Sequence, residues 1–166
     1  WLGNENANAS LLKITKQLLE YQLDFDFVDQ QGLGSVFTLE KGTFKNLSGQ
    51  TYSTIIVPSV VVMKEDVMKR LQTFANSGGK VIFIGTNFSA AGKTFIDAKP
   101  SAVFTWGSHQ TIDSLTGDVI KKINADVVLD GTYPSIKYLH RKWKDAEVYF
   151  FFNESKEKIK TNATLN

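Results

Sequence analysis

The sequence predicts an α/β fold of three layers, with a mostly parallel sheet followed by antiparallel β-strands. Residues 53–57 are a β-branched run that ends at Pro58, which suits a strand buried on both faces. Residues 64–77 place their apolar side chains on one face of a helix, and Gly78-Gly79 ends that helix. Residues 80–85 supply a second buried strand, so the whole is a βαβ crossover with parallel strands.

Upstream of this crossover, the pattern predicts a helix, a strand and short hairpin strands. Residues 10–22 carry leucine and isoleucine at helical spacing, and residues 24–29 alternate as a strand does before a glycine-containing loop over 30–35. Residues 36–47 predict one or two short strands around a Lys41-Gly42 turn. Because a helix that leads into a strand usually follows an earlier strand in α/β folds, we expect a first strand upstream of this chain.

Downstream of the crossover, the pattern becomes weaker and then changes period. Residues 86–108 predict a long loop with scattered aromatic residues, of a kind that is often functional or lies against another domain. Residues 110–124 predict a helix, and 126–130 a short strand. An antiparallel hairpin follows over 136–143 and 146–153, with a turn at Lys144-Asp145 and a third strand from Lys158.

The change of period predicts two domains. We place the boundary near Tyr133-Pro134, with an α/β module over 1–133 and the start of a β-sandwich over 134–166. The strand around Phe150 is apolar on both faces, so both must be covered. The chain starts without methionine and stops in mid-alternation, and we expect it to be a piece of a longer protein.

Composition excludes several classes of protein and site. The chain has no cysteine, which excludes disulfides, thiolate nucleophiles and zinc–thiolate sites. Nineteen basic and seventeen acidic residues give a net charge of +2, too weak a bias to predict binding to nucleic acid or to an anionic membrane. No apolar run reaches the roughly 20 residues of a membrane span. We therefore expect no nucleic-acid or membrane partner.

The motifs predict no catalytic residue, cofactor or metal. Gly92-Lys93-Thr94 resembles the end of a phosphate-binding loop, but Asn87 stands where its first glycine is required. A flavodoxin-like module that binds a nucleotide or another small molecule is an alternative with this near-match as its support. His109 and His140 have no second ligand at metal spacing.

Seven residues are candidates for contact with a ligand or with another domain. Asp29 and Asp130 end predicted strands, where ligands of open α/β sheets bind, although turn capping is the simpler interpretation. His140 lies on a predicted strand and can orient a carboxylate or a carbonyl, or have only a structural role. The aromatic residues of the 86–108 loop favour stacking on sugars, as in a carbohydrate-binding module, or packing against a neighbouring domain. The seven candidates are Asp29, Asn87, Trp106, His109, Asp130, His140 and Arg141.

Five segments occur in sequence order over residues 26–29, 52–59, 74–85, 138–142 and 145–155. Together they resemble the C-terminal half of large bacterial α-L-rhamnosidase-like glycoside hydrolases, glycoside hydrolase family 106 and its relatives. The central unit is also similar to the glutamine-amidotransferase-like middle domain of some β-galactosidases. The resemblance therefore implies a flavodoxin-like or glutamine-amidotransferase-like module.

The resemblance also implies a function. In that family the hydrolytic carboxylates belong to an upstream barrel domain, so this chain would be a non-catalytic accessory domain of an enzyme that acts on plant or bacterial polysaccharide. The amidotransferase nucleophile is a cysteine, which this chain lacks. The implied partners are other domains of the same polypeptide, with a second copy or a carbohydrate as further candidates. The implied location is periplasmic or extracellular.

Overall fold

The computed structural model describes residues 5–59, 62–85, 89–91, 99–100, 106–110, 117–120, 123 and 125–166. The helices are α1 (Glu5–Glu20), α2 (Glu65–Asn76), α3 (Gly117–Ile120) and a short π-helix (Gly32–Val36). The strands are β1 (Thr38–Glu40), β2 (Thr43–Lys45), β3 (Thr51–Tyr52), β4 (Thr54–Val57), β5 (Val62–Lys64), β6 (Lys80–Ile84), β7 (Ser89–Ala91), β8 (Lys99–Pro100), β9 (Ser108–Gln110), β10 (Val127–Leu129), β11 (Ile136–Lys142), β12 (Glu147–Asn153) and β13 (Ala163–Leu165).

The chain divides into two compact units, each built from two segments. The first comprises Trp1–Lys13 and Phe27–Leu115, and the second comprises Ile14–Asp26 and Thr116–Asn166. In the described residues, the first unit holds the sheets β1-β2-β3, β4-β6-β9 and β5-β7-β8, and the second holds β10-β13 and β11-β12. The domain boundary that we place near Tyr133-Pro134 stays a prediction.

The predicted three-layer, flavodoxin-like or glutamine-amidotransferase-like fold with a mostly parallel sheet is wrong. Parallel pairing in the described residues is limited to β4 with β6, β6 with β9, and β5 with β7. The remaining pairs of strands are antiparallel. A single βαβ crossover determines only how its own two strands pair. Here β5 belongs to a separate sheet instead of extending the sheet of β4 and β6. A flavodoxin-like binding module therefore loses its structural basis.

The central crossover itself is confirmed. β4 runs parallel to β6 across α2, and Glu65 and Asp66 lie in the first turn of that helix, where its dipole favours negative charge. Gly78 ends the helix with φ of +102°, a left-handed conformation that glycine adopts without strain. The buried residues of α2 are Val67, Leu71 and Phe74. The local pattern of apolar residues thus predicted β4, α2 and β6 to within a residue or two at each boundary, but it missed β5 between β4 and α2.

The core of the first unit is built around two stacked phenylalanines. Phe44 of β2 and Phe74 of α2 are fully buried, and their ring centroids lie 4.7 Å apart. The guanidinium of Arg70 lies 5.7 Å from the centroid of the Phe44 ring. It also donates hydrogen bonds to the carbonyls of Gly34, at 2.9 Å, and Phe37. These contacts join α2 to the π-helix and to β2.

The segment before the π-helix differs from its prediction. The alternating residues 24–29 do not form a strand, and much of the predicted loop over 30–35 is helical. The Asp29 carboxylate accepts the backbone N–H of Gly32 at 2.6 Å, which favours a helical turn at this point. The Gln30 amide then accepts the Lys64 N–H at 2.9 Å and donates to the Val62 carbonyl at 3.2 Å. The Gln30 side chain therefore makes hydrogen bonds to the backbone of β5 that a neighbouring strand would otherwise make.

Helix α1 begins about one turn earlier than predicted. Ser10 lies inside the helix and is fully buried. Its hydroxyl donates to the Ala7 carbonyl and accepts the Ser59 backbone N–H, each at 2.9 Å. A hydrogen bond to the chain after β4 therefore explains why a polar side chain is buried at this position.

The second unit joins the end of α1 to the hairpin β11–β12. Gln22 is buried, and its amide donates to the carbonyls of Tyr133, at 3.0 Å, and Ile136, at 2.9 Å. The predicted hairpin is confirmed, with Ile136 opposite Asn153 and Lys142 opposite Glu147. The third strand begins at Ala163 rather than at Lys158, and it pairs with β10. Most of the predicted 86–108 loop and 110–124 helix lies outside the described residues. Where the structure does describe the predicted loop, it forms β7, β8 and the start of β9, so the loop prediction is wrong there.

Candidate functional site

The outer side of the hairpin β11–β12 is an exposed apolar surface, because alternate side chains of a strand point to opposite faces of a sheet. This apolar face is formed by Leu139, Val148, Phe150 and Phe152, which are 45%, 44%, 60% and 44% exposed. The Phe150 and Phe152 ring centroids lie 6.1 Å apart. The apolar residues predicted around Phe150 therefore include an exposed set on this face. Contiguous exposed apolar surface of this kind usually marks a site of interaction.

The opposite side of the hairpin carries a polar network around Asp126, which lies just before β10. His140 Nδ1 is 2.8 Å from Asp126 Oδ2, and the Tyr149 hydroxyl donates to Asp126 Oδ1 at 3.1 Å. The His140 ring stacks on Tyr149, with centroids 4.0 Å apart and planes 10° apart. Burial and then the hydrogen bond to Asp126 raise the pKa of Tyr149 above its ordinary value. The Asp126 carboxylate is thus held by two side chains of the hairpin.

A second carboxylate, Glu147, lies at the far end of this network. The Lys142 ammonium is 2.5 Å from Glu147 Oε1, and its hydrogen bond and charge lower the pKa of Glu147. Its other oxygen, Oε2, is 3.7 Å from His140 Nε2, a nitrogen that is buried without a hydrogen-bond partner in the described part of the chain. The network therefore consists of carboxylates held by donors from the same hairpin.

Asp130, a predicted site residue, joins β10 to the segment before β13. Its carboxylate accepts hydrogen bonds from the Thr161 hydroxyl, at 2.5 Å, and from the Asn162 backbone and side-chain amides, at 3.1 and 2.8 Å. The Tyr133 hydroxyl lies 3.3 Å from the same carboxylate. Hydrogen bonds from Thr161 and then Asn162 lower the pKa of Asp130. This geometry is that of a capping residue.

The other predicted site residues are dispersed. Asp29 binds the backbone of the π-helix, and Trp106 packs edge-on against Phe83 with ring centroids 5.1 Å apart. Arg141 is exposed on the apolar side of the hairpin, opposite Val148. His109 pairs through its backbone in β9, while Asn87 lies outside the described residues. Sugar binding by the 86–108 loop stays a prediction, and Trp106 packs against the core.

Comparison with known proteins identifies the family. A sequence profile of the α-L-rhamnosidases of glycoside hydrolase family 106 matches residues 1–166. The chain belongs to this family. The resemblance inferred from the sequence segments is therefore confirmed, and this rhamnosidase-family chain is part of a glycoside hydrolase-type protein.

A relative gives the scale of such proteins. The rhamnosidase-family chain is 25% identical over 167 residues to a protein of Formosa agariphila named "Putative beta-glucuronidase". The match covers 93% of this chain but 14% of that protein, so the chain spans about one seventh of its relative. No solved structure matches the chain.

In the described parts of the rhamnosidase-family chain, no three histidine, aspartate or glutamate side chains are grouped as metal ligands. No helix there has both the length and the hydrophobicity needed to cross a bilayer.

Sequence reasoning missed Asp126, Glu147 and Tyr149. The predicted Lys144-Asp145 turn is the signal that locates Glu147 and Tyr149, because it fixes how the two strands pair. In the structure, the Trp143 N–H donates to the Ala146 carbonyl across this turn at 2.8 Å. Counting outward from this turn places Lys142 opposite Glu147 and His140 opposite Tyr149. Asp126 lies on another element, and no sequence spacing relates it to the hairpin.

The stabilisation that Asp130 gives through its hydrogen bonds to Thr161 and Asn162, here called the Asp130 anchor, is expected to weaken in acid. Because the folded pKa of Asp130 is below its ordinary value of 3.8, its contribution to folding is complete above that pH and is lost as the pH falls through the lower folded value. The difference in urea midpoint between the natural chain and Asp130→Asn should therefore shrink as the pH falls from about 6 to about 2.5. Asp145→Asn, in the hairpin turn, is the control, and a pH-independent difference for Asp130→Asn would contradict the anchor.

Proposed function

We propose that this chain is a non-catalytic accessory part of a periplasmic or extracellular glycoside hydrolase that acts on plant or bacterial polysaccharide. The observation that carries the proposal is the exposed apolar face of the hairpin β11–β12 in a chain of this family. A surface of this kind needs a neighbour, and other domains of the same polypeptide are the partners that the proposal requires.

The carboxylates support a structural role for this part of the protein. Glycoside hydrolysis generally uses two carboxyl groups that flank the sugar bond, one of which exchanges a proton with the leaving group. Asp126 is held by His140 and Tyr149, while Glu147 is held by Lys142. Asp130 caps the segment before β13. The carboxylates gathered in the second unit therefore have partners within the fold.

The names of the relatives support a sugar-cleaving enzyme as the whole. The family is that of the α-L-rhamnosidases, and the Formosa agariphila protein is named for β-glucuronidase activity. The chain corresponds to about one seventh of that protein, which leaves ample sequence for a separate catalytic domain. Reactive groups outside this chain are thus compatible with a glycosidase activity of the complete polypeptide.

Turnover assays test this proposal. We expect the purified chain to release no nitrophenol above the blank from p-nitrophenyl α-L-rhamnoside or β-D-glucuronide, while the complete polypeptide hydrolyses at least one glycoside. Asp126→Asn and Glu147→Gln should leave the activity of the complete polypeptide within about threefold, since these carboxylates stabilise the hairpin rather than the transition state. Hydrolysis by the chain alone that Asp126→Asn or Glu147→Gln abolishes would refute the proposal.

A further inference from the structure

We infer that the apolar face of the hairpin is covered, in the complete polypeptide, by a second β-sheet of that polypeptide with a carboxylate opposite Arg141. This inference rests on the proposed function and names the partner of the exposed surface. It follows from the shape, the charge and the area of the face.

The shape of the face is that of a surface for packing sheet on sheet. Two seven-residue strands are in register, with Leu139 opposite Phe150 and Lys137 opposite Phe152. Side chains on such a face pack against those of another sheet about 10 Å away. The opposite face of the hairpin is already in use, because Ile136 is buried and Tyr149 binds Asp126. A two-stranded hairpin is marginally stable alone, so a second sheet would complete it.

The charge of the face indicates what this sheet must carry. Lys137 lies 3.6 Å from Glu154 and also donates to the Pro134 carbonyl, so its ammonium already has partners. Arg141 lies opposite Val148 and next to Leu139 on this face, and it makes no ion pair within the described residues. Covering a guanidinium without an anion is costly, whereas a carboxylate binds it through two parallel hydrogen bonds. The covering sheet therefore supplies an aspartate or a glutamate.

The area of the face favours a segment of the same polypeptide over a second copy. At about 150–200 Å² for each fully exposed side chain, the four apolar side chains present roughly 350 Å². Covering them alone buries about 700 Å² in total, and adding the Arg141 side chain keeps the total within the roughly 1,200 Å² of the smallest stable interfaces between separate proteins. A tethered sheet is held at about millimolar effective concentration and needs less area. The Formosa agariphila relative has such additional sequence, since this chain spans 14% of it.

Thiol labelling tests the inference, since the chain has no cysteine of its own. Phe150→Cys is the reporter, and Lys144→Cys, in the exposed turn of the same hairpin, is the matched control. In the chain alone, we expect maleimide to modify both within about threefold of each other. In the complete polypeptide, the cysteine at position 150 should react at least about tenfold more slowly, while the one at position 144 keeps its rate. Peptide mass spectrometry identifies each labelled site.

A charge variant tests the carboxylate. In the complete polypeptide, Arg141→Glu should speed the labelling of the cysteine at position 150. It should also speed amide hydrogen exchange over residues 147–153, which is measured both with Phe150→Cys and with Phe150 unchanged. Lys144→Glu should change neither. Equal effects of these two variants would refute the carboxylate opposite Arg141.

Two outcomes would overturn the covering sheet. The first is equally fast labelling of position 150 in the chain and in the complete polypeptide. The second is protection of position 150 in the chain alone that increases with its concentration, which would make a second copy the occupant. Glycoside hydrolysis by the chain alone would instead refute the proposed function and leave the labelling result unchanged, so the two failures are distinguishable.

Discussion

Replacing Phe44 with alanine is expected to lower the free energy of unfolding by about 3–5 kcal/mol. Phe44 is fully buried, and its ring stacks on Phe74 at 4.7 Å while the Arg70 guanidinium lies over it. Alanine would leave a cavity between α2 and β2 and remove the aromatic partner of Arg70. Urea unfolding followed by circular dichroism measures the change.

Two matched variants make this test specific. Leu47→Ala removes a leucine two residues beyond β2 that is 88% exposed, and it should change stability by no more than about 0.5 kcal/mol. Phe44→Leu keeps most of the buried volume and should cost clearly less than Phe44→Ala, about 1–2 kcal/mol. A cost below about 1 kcal/mol for Phe44→Ala would show that the aromatic stack is not central to the core.

Replacing Gly42 with alanine is expected to cost about 2–4 kcal/mol for two reasons. Gly42 has φ of +76°, a left-handed conformation that strains other residues. A Cβ there would also lie 2.5 Å from the Ser77 carbonyl oxygen and 3.0 Å from the Gly79 nitrogen, which are backbone atoms and cannot rotate away. The turn between β1 and β2 would therefore have to move from the end of α2. Urea unfolding again measures the loss.

Gly49 separates the two causes. It has φ of +93°, but a Cβ there would meet only the Lys45 side chain, at 3.9 Å. Gly49→Ala should therefore cost about 1–2 kcal/mol from backbone strain alone. Equal costs at Gly42 and Gly49 would show that the turn does not press on the end of α2.

The central crossover was predictable because its signals are short-range. The buried strand 80–84 and the glycine stop at Gly78 are each visible within a few residues. The same reasoning failed for residues 24–29, since alternation shows that a segment has two faces but not that a neighbouring strand exists. In the structure, the Asp29 carboxylate and the Gln30 amide bind backbone groups instead.

The fold class was not predictable from the same signals. A parallel sheet depends on which strands pair over long separations, and β5 pairs with β7 rather than extending the sheet of β4. The apolar face was predictable, because apolar residues on both sides of a strand require two covers and Phe150 lies on the uncovered side. The polar network was only half predictable. The register of the hairpin places Tyr149 beside His140, but nothing in the sequence brings Asp126 to them.

The hydrogen bonds of Gln22 have a consequence for biosynthesis. This residue and its acceptor Tyr133 are 111 residues apart, so the second unit stays incomplete until the ribosome has made its C-terminal segment. At about 5–20 residues per second, that delay is roughly 6–20 s. Until then Ile14, Leu18 and Leu23, which are buried in the finished unit, are exposed to solvent on the nascent chain. Chaperone binding to the newly made segment that contains these residues is the expected result.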